Sequence, residues 1–328
     1  MKIGNYLNIG QPIDVTNKGI KIYPLYYQGV HAREYRLIEE VEDKVGLTDS
    51  GRVSNIYIRN RSKYPVFIRA GTILKGNTQN RGIKRSIVAF PIGKKREYEN
   101  IEYTKVAEVY CVHQTSPISS SGSLTVNCLM PHNFEALAYS GASQGKMWND
   151  VKYYASTSGA PTGYASGDDL TGNVSYNIAK YESTVDKIIN KNPEIMDAVG
   201  IAIVDTANVL SIELYDSQES WNVMCRKILN KYSTDFAKRT SGYSTGNYWK
   251  GIPNKIKGVL NSIFKVLAKY SDSARIDGKH WIATTYQGNL QSTFEAEMTK
   301  LNKKVIHLAV VRGTKFITQD KGPISIIY

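Results

Sequence analysis

Apolar and polar residues follow two different periods along this chain, and the change of period gives the first picture of its organisation. In the first third, IKIYPLYYQ (20–28), VSNIYIRN (53–60), YPVFIRA (64–70), RSIVAFPI (85–92) and YTKVAEVYCVH (103–113) are rich in Val, Ile, Tyr and Phe. They alternate in part and are punctuated by Gly, Asn, Ser and Pro, the pattern of antiparallel strands. The link Asn60–Lys63 is short enough to predict a hairpin over 53–70. Helical spacing then takes over. Trp148, Val151 and Ala155 share one face of 145–155, and Ile178, Tyr181, Val185 and Ile189 recur at three- and four-residue steps within 174–190. Asp216 followed by Glu219 predicts a capping box opening a helix whose stripe is Trp221, Cys225, Ile228, Tyr232 and Phe236. A second stripe, Ile256, Val259, Leu260, Ile263, Leu267 and Tyr270, follows Asn254.

Strand signals return at both ends of this region. VGIAIVDTANVLSIELYD (199–216) is two apolar runs about a polar turn, a buried hairpin, and KHWIATTYQ (279–287), KVIHLAVVR (304–312) and PISIIY (323–328) close the chain. The fold class is α+β: an antiparallel β-rich N-terminal part over 1–113, then a mixed α/β part over 129–328. Between them QTSPISSSGSLTVNC, residues 114–128, is Ser/Gly-rich and aperiodic, which makes it the expected connection. A longer loop, 156–173, exceeds the usual length of a connection.

Composition narrows the class. The 328 residues are 41% hydrophobic and 22% charged, the balance of a folded chain rather than a disordered one. No run of about 18 apolar residues is available to cross a membrane, and MKIGNYLNIGQPIDV lacks the apolar core of a secretory signal, so no membrane partner and synthesis in the cytoplasm are expected. Cys111, Cys128 and Cys225 are odd in number and lack metal-ligand spacing, which points away from disulfides and zinc. Asn60-Arg61-Ser62 and Asn173-Val174-Ser175 match the glycosylation pattern, one short enough to occur by chance.

The net charge of +13 is uneven: residues 1–100 carry 18 basic and 9 acidic side chains, 101–200 carry 6 and 10, and 201–328 carry 18 and 10. Its densest basic pieces, Lys84-Arg85 and Lys94-Lys95-Arg96, flank an apolar strand. Such a field steers polyanions, and an acidic middle between basic ends also suits head-to-tail self-association.

Familiar catalytic signatures are missing. No phosphate-binding loop, dinucleotide fingerprint, nucleophile elbow or paired-histidine metal motif occurs, and His31, His113, His132, His280 and His307 are scattered. His307, inside VIHLAVV, reads as a core histidine. Glu39-Glu40 and Asp168-Asp169 are adjacent in sequence, so each pair points its carboxylates apart and makes a poor acid–base couple. No catalytic residue, metal or cofactor is expected on these grounds.

The most unusual segment is RAGTILKGNTQNRG (69–82), where Gly71 and Gly76 bracket a strand-like core and Gln79, Asn80 and Arg81 follow. Arg81 offers a bidentate fork to a small anion; the alternative is a hairpin whose side chains tie down its own backbone.

These residues carry a resemblance. Gly71, Thr72, Leu74, Gly76, Gln79, Asn80 and Arg81 resemble a Gly-Glu-x-Leu-x-Gly-x-x-Gln-Asn-Arg pattern of the domain family named for its association with ADP-ribosylglycohydrolases and rhodanese-phosphatases. Val109-Tyr110-Cys111-Val112-His113 is similar to the family's Val-Ser-Cys-Val-Glu strand, Gln144-Gly145-Lys146-Met147-Trp148 to its Gln-Gly-x-x-Trp helix start, and the hairpin and helix VGIAIVDTANVLSIELYDSQESW to its later core. VIHLAVV resembles its last strand, and the likeness runs over residues 18–310. It implies a polar cluster of Gly71, Gly76, Gln79, Asn80, Arg81, Cys111, Gln144 and Trp148, for ligand binding or for structure. Thr72 and His113 stand where the family pattern has Glu, and Ser116-Pro117 where it has Arg-Trp. Losing two carboxylates and a guanidinium implies lost chemistry.

The expectation that follows is a non-catalytic structural or interaction protein that associates with itself into rings, tubes or filaments, an idea that 23 tyrosines, suited to contact surfaces, also favour. The alternatives are an enzyme or binding protein for ADP-ribose or a related nucleotide-derived ligand, and, from charge alone, a nucleic-acid-binding protein.

Overall fold

The computed structural model describes residues 7–15, 19–27, 33–77, 79–92, 105–116, 122–161, 165–205, 208–238, 251–268, 279–287, 290–301 and 304–312. The basic turn 94–96, His31, Tyr270 and the tail 323–328 lie outside them. The chain is α+β, and its N-terminal part is rich in sheet. It forms two compact units, one of residues 1–31 with 183–328 and the other of 32–182. The segment 114–128 belongs to the second unit, where its described end is part of the strand Leu124–Leu129.

The 32–182 unit is built on six antiparallel strands in the order Leu124–Leu129, Thr72–Gly76, Arg81–Ile83, Lys105–Cys111, Asn55–Asn60 and Val45–Asp49. The two outer strands meet through a Thr48–Ser123 bridge and a 2.9 Å bond from Asp49 N–H to the Gly122 carbonyl, so the sheet closes into a small barrel. Closure leaves no open edge between these strands. Alternation along Asn55–Asn60 sends Ile56 and Ile58 into the core with Leu47, Leu74, Ile83, Ala107 and Val109.

The hairpin expected over 53–70 does not form. Asn55–Asn60 pairs with Val45–Asp49 and Lys105–Cys111, whereas Val66–Ile68 joins a separate three-stranded sheet with Arg36–Leu37 and Ile87–Ala89. Asn60 explains the diversion: its buried amide donates to the carbonyls of Tyr64 at 2.7 Å and Ala89 at 2.9 Å, which turns the chain away from its own strand. The helices His132–Tyr139, Gln144–Ser158 and Leu170–Lys191 belong to a second cluster, in which Phe134, Met147, Val151, Leu170 and Val174 pack with Ile73, Tyr110 and Val112. Asn60 and Asn173, of the two glycosylation patterns, are both buried.

In the other unit, the strands Leu7–Ile9, Ile20–Tyr27, Gly200–Asp205, Asn208–Tyr215, Lys304–Arg312, Leu290–Leu301 and Lys279–Gln287 follow one another, every neighbour antiparallel. The expected hairpin over 199–216 is its centre. The helix Ile252–Ala268 buries Ile256, Val259, Leu260 and Ile263 against an apolar face with Ala202, Ile212, Leu308 and Val310. Trp221, Cys225, Ile228, Tyr232 and Phe236 are buried as their spacing predicts, but the first three lie on the helix Gln218–Asn230, Tyr232 in the turn after it and Phe236 on the helix Ser233–Lys238, and the cap is Ser217, whose hydroxyl accepts from Ser220 N–H.

Here the opposite sheet face carries buried polar residues. His307 is fully enclosed with Nε2 2.8 Å from Glu213 Oε1, Lys231 Nζ is 3.4 Å from Glu213 Oε2, and the Tyr232 hydroxyl donates to Ser211 at 2.5 Å.

Folding redistributes the charge read along the sequence. The 32–182 unit contains 19 basic and 15 acidic residues and the other unit 23 and 14. Both are net positive, so the acidic middle third is not an acidic unit.

Candidate functional site

The residues of the polar motif are brought together in the 32–182 unit. Leu74, Arg81 and Cys111 lie level across three adjacent strands. Gly76 closes the turn behind them: a Cβ there would stand 2.4 Å from the Gln79 carbonyl oxygen, so only glycine lets the turn come this close. Gly71 has φ +78° and lies beside the buried Arg69–Glu135 ion pair.

Arg81 is not a ligand fork. Fully buried, it sets Nε and Nη2 2.8 Å from Asp49 Oδ2 and donates from Nη1 to the Val53 carbonyl at 2.9 Å and from Nη2 to that of Arg52 at 3.3 Å. Its guanidinium ties the Arg81–Ile83 strand to the far side of the barrel.

Gln144 and Trp148 clamp the end of a strand. The Gln144 amide accepts from Cys111 N–H at 3.0 Å and donates to the Cys111 carbonyl at 2.8 Å, as a neighbouring strand would, and the Trp148 indole donates to the same carbonyl at 3.0 Å. The Ser143 cap, accepting from Lys146 N–H, fixes where this helix begins. Cys111 Sγ donates in turn to the His113 carbonyl at 3.1 Å.

Everything this clamp holds leads to His113. Val112 N–H donates to the Asn80 carbonyl at 3.1 Å, Leu170 N–H to the Val112 carbonyl at 2.9 Å, and His113 forms a bridge with Asp169. Ser116 Oγ is 2.7 Å from His113 Nδ1, and Ser166 Oγ is 3.2 Å from Nε2. Asp168 Oδ1 lies 3.8 Å from Nε2 and Asp169 Oδ1 3.9 Å from Nδ1, one carboxylate on each side of the ring. Gln79 anchors the serine by donating to the Ser116 carbonyl at 3.0 Å, and Asn80 anchors Asp169 by donating to its Oδ1 at 3.1 Å.

The two carboxylates differ in task. Asp169 caps the helix Leu170–Lys191, accepting from Thr171 N–H at 2.9 Å and Gly172 N–H at 3.1 Å. Asp168 accepts from Ser166 Oγ at 2.6 Å and Thr115 N–H at 2.8 Å. Burial pushes its carboxyl up, but the bonds from Ser166 and Thr115, helped by His113, outweigh burial and hold it below the ordinary carboxylate range.

An ionised Asp168 accepts only, so the single Ser166 proton goes to it and Ser166 accepts from His113 Nε2–H. In the neutral ring Nδ1 then carries the lone pair and accepts from Ser116 O–H. The order of donation is Ser116, His113, Ser166, Asp168. Among the described residues, no lysine or arginine is bonded to any member, and no group of three or more His, Cys, Asp or Glu is placed to hold a metal ion.

A family model, the ARG and Rhodanese-Phosphatase-superfamily-associated Protein domain, matches residues 7–115 and 118–311. The chain belongs to this family. No curated protein and no solved structure matches it. Among the described residues, no helix is long and apolar enough to cross a membrane.

Thr72 and His113, the two positions at which the resemblance implies Glu, are not neighbours. Thr72 is two residues below the Leu74–Arg81–Cys111 level and His113 two above, about 13 Å apart along the strands. Thr72 is buried and belongs to the barrel wall. His113 is where the site is, together with Ser116, Ser166, Asp168 and Asp169, none of which the sequence pattern marks as a site residue. The signal for Asp169 is present in the sequence: an Asp directly before an amphipathic helix marks an N-cap.

Proposed function

We propose that this protein binds a small, uncharged or cationic polar molecule at His113 and that His113 moves a proton on it. One observation carries the reading: His113 sits between two carboxylates and two serines yet keeps its side chain 23% exposed, whereas His307 is fully enclosed. A ring held this firmly and still open to solvent suits proton transfer, since a base works only within hydrogen-bond reach of its substrate. The electrostatics select the ligand class. Asp168 and Asp169 repel phosphate, and the Arg81 guanidinium is spent on Asp49, which favours an uncharged ligand over ADP-ribose. Self-association remains a separate proposal; with both units net positive, opposed charge lends it little support.

The test is the NMR signal of the His113 ring, recorded with adenosine, ribose, N-acetylalanine methyl ester and ADP-ribose as probes. Shifts with an uncharged probe, abolished in Asp168→Asn, are expected. Shifts with ADP-ribose alone, or with no probe, overturn the reading.

A further inference from the structure

From the same cluster we infer a second role: Ser116 is a nucleophile activated by His113, directed at neutral carboxylic esters. This rests on the His113 site proposed above and names its chemistry. The hydroxyl and the ring nitrogen are 2.7 Å apart, a distance at which proton transfer needs no rearrangement. The direction of that bond follows from the proton inventory: Ser166 spends its hydrogen on Asp168 at 2.6 Å and so takes the one on His113 Nε2. Nδ1 is left as the acceptor, facing Ser116. The local geometry holds both partners: Gln79 fixes the Ser116 carbonyl, and the His113 carbonyl receives the Cys111 thiol.

The step balances within these groups. Ser116 Oγ forms a bond to the ester carbonyl carbon as its proton passes to His113 Nδ1. The imidazolium so formed lies 3.8 Å from Asp168 and 3.9 Å from Asp169, which stabilise the charge where it appears. The ester C–O bond breaks, and the leaving alcohol takes the proton from Nδ1. Water then attacks the acyl-serine, giving its proton to His113; Ser116 recovers it as the carboxylic acid leaves. Two carboxylates beside the ring disfavour phosphate esters, so the electrophile is an uncharged acyl group.

An alkyl fluorophosphonate tests this on the full chain, because Ser116 displaces fluoride in one step while His113 takes the proton. Mass spectrometry of the intact protein and its peptides is expected to find one phosphonyl group, on Ser116. Ser116→Ala should abolish it, and His113→Gln should slow it about 100-fold or more. Peptide mapping of the unaltered protein locates the label even if a variant fails to fold. No label, a label elsewhere, or a rate indifferent to His113→Gln overturns the inference. Shifts of the His113 ring with an uncharged probe, without labelling, would remove the nucleophile and leave the binding site standing.

Discussion

Arg81 and Asp49 meet inside the barrel at 2.8 Å with both side chains fully or almost fully removed from solvent. Two strands separate theirs, so the pair spans the barrel rather than following a strand ladder. An Arg that the sequence offers as an anion fork is thereby committed to the fold. The Asp49 carboxylate also accepts from Gly51 N–H at 2.9 Å, which holds the turn whose carbonyls Arg81 reaches.

Removing one partner leaves the other charge buried and unpaired. Arg81→Met or Asp49→Leu alone should cost about 3–5 kcal/mol, and the double variant clearly less than their sum. Urea unfolding of the four proteins measures the coupling. Strict additivity would show that the pair is not a unit.

Gln144 works through backbone rather than charge. Gln144→Ala takes away a donor and an acceptor from Cys111 and should cost about 1–3 kcal/mol. Backbone amide shifts should move at Cys111, Val112 and His113, because the clamp sets the end of that strand. A stability loss without those shifts would contradict its positioning role.

Asp168 gives the stability a pH dependence of known sign. Its folded pKa is depressed, so its contribution is complete above the ordinary carboxylate value of about 4 and is lost as pH falls through the lower folded value. Asp168→Asn should therefore be less stable than the unaltered chain at pH 7, and the gap should narrow on acidification. Urea midpoints from pH 7 to 3 measure this; a constant gap would contradict it.

Much of the fold was legible. Apolar stripes mark the helices Gln144–Ser158, Gln218–Asn230 and Ile252–Ala268 because each buries one face, and the hairpin at 199–216 shows as two continuous runs because both faces of its sheet are covered. What escaped depended on pairing at a distance. Ile20–Tyr27 pairs with Gly200–Asp205, some 180 residues away, and no local pattern announces that. Asn60 reads as turn punctuation, yet its side-chain amide donates to the Tyr64 and Ala89 carbonyls and turns the chain into another sheet.

The site was legible in its supports and not in its chemistry. Gln79, Asn80, Cys111, Gln144 and Trp148 stood out as a pattern, and the structure finds them holding backbone or Asp169. Asp168 and Asp169 do not stand out in the sequence because adjacent carboxylates diverge, and they do diverge, to opposite sides of one ring. His113 read as a lost carboxylate, since nothing in its own segment reveals Ser166 fifty-three residues on.

The most direct test of the His113 account is the tautomer of its ring. Long-range proton–nitrogen NMR of imidazole-labelled protein, at a pH where the ring is neutral, separates a protonated nitrogen from a bare one. The account predicts hydrogen on Nε2 and a hydrogen-bonded lone pair on Nδ1, with the Nδ1 signal moving in Ser116→Ala. Hydrogen on Nδ1, or a mixed ring that Ser116→Ala leaves unchanged, would contradict it.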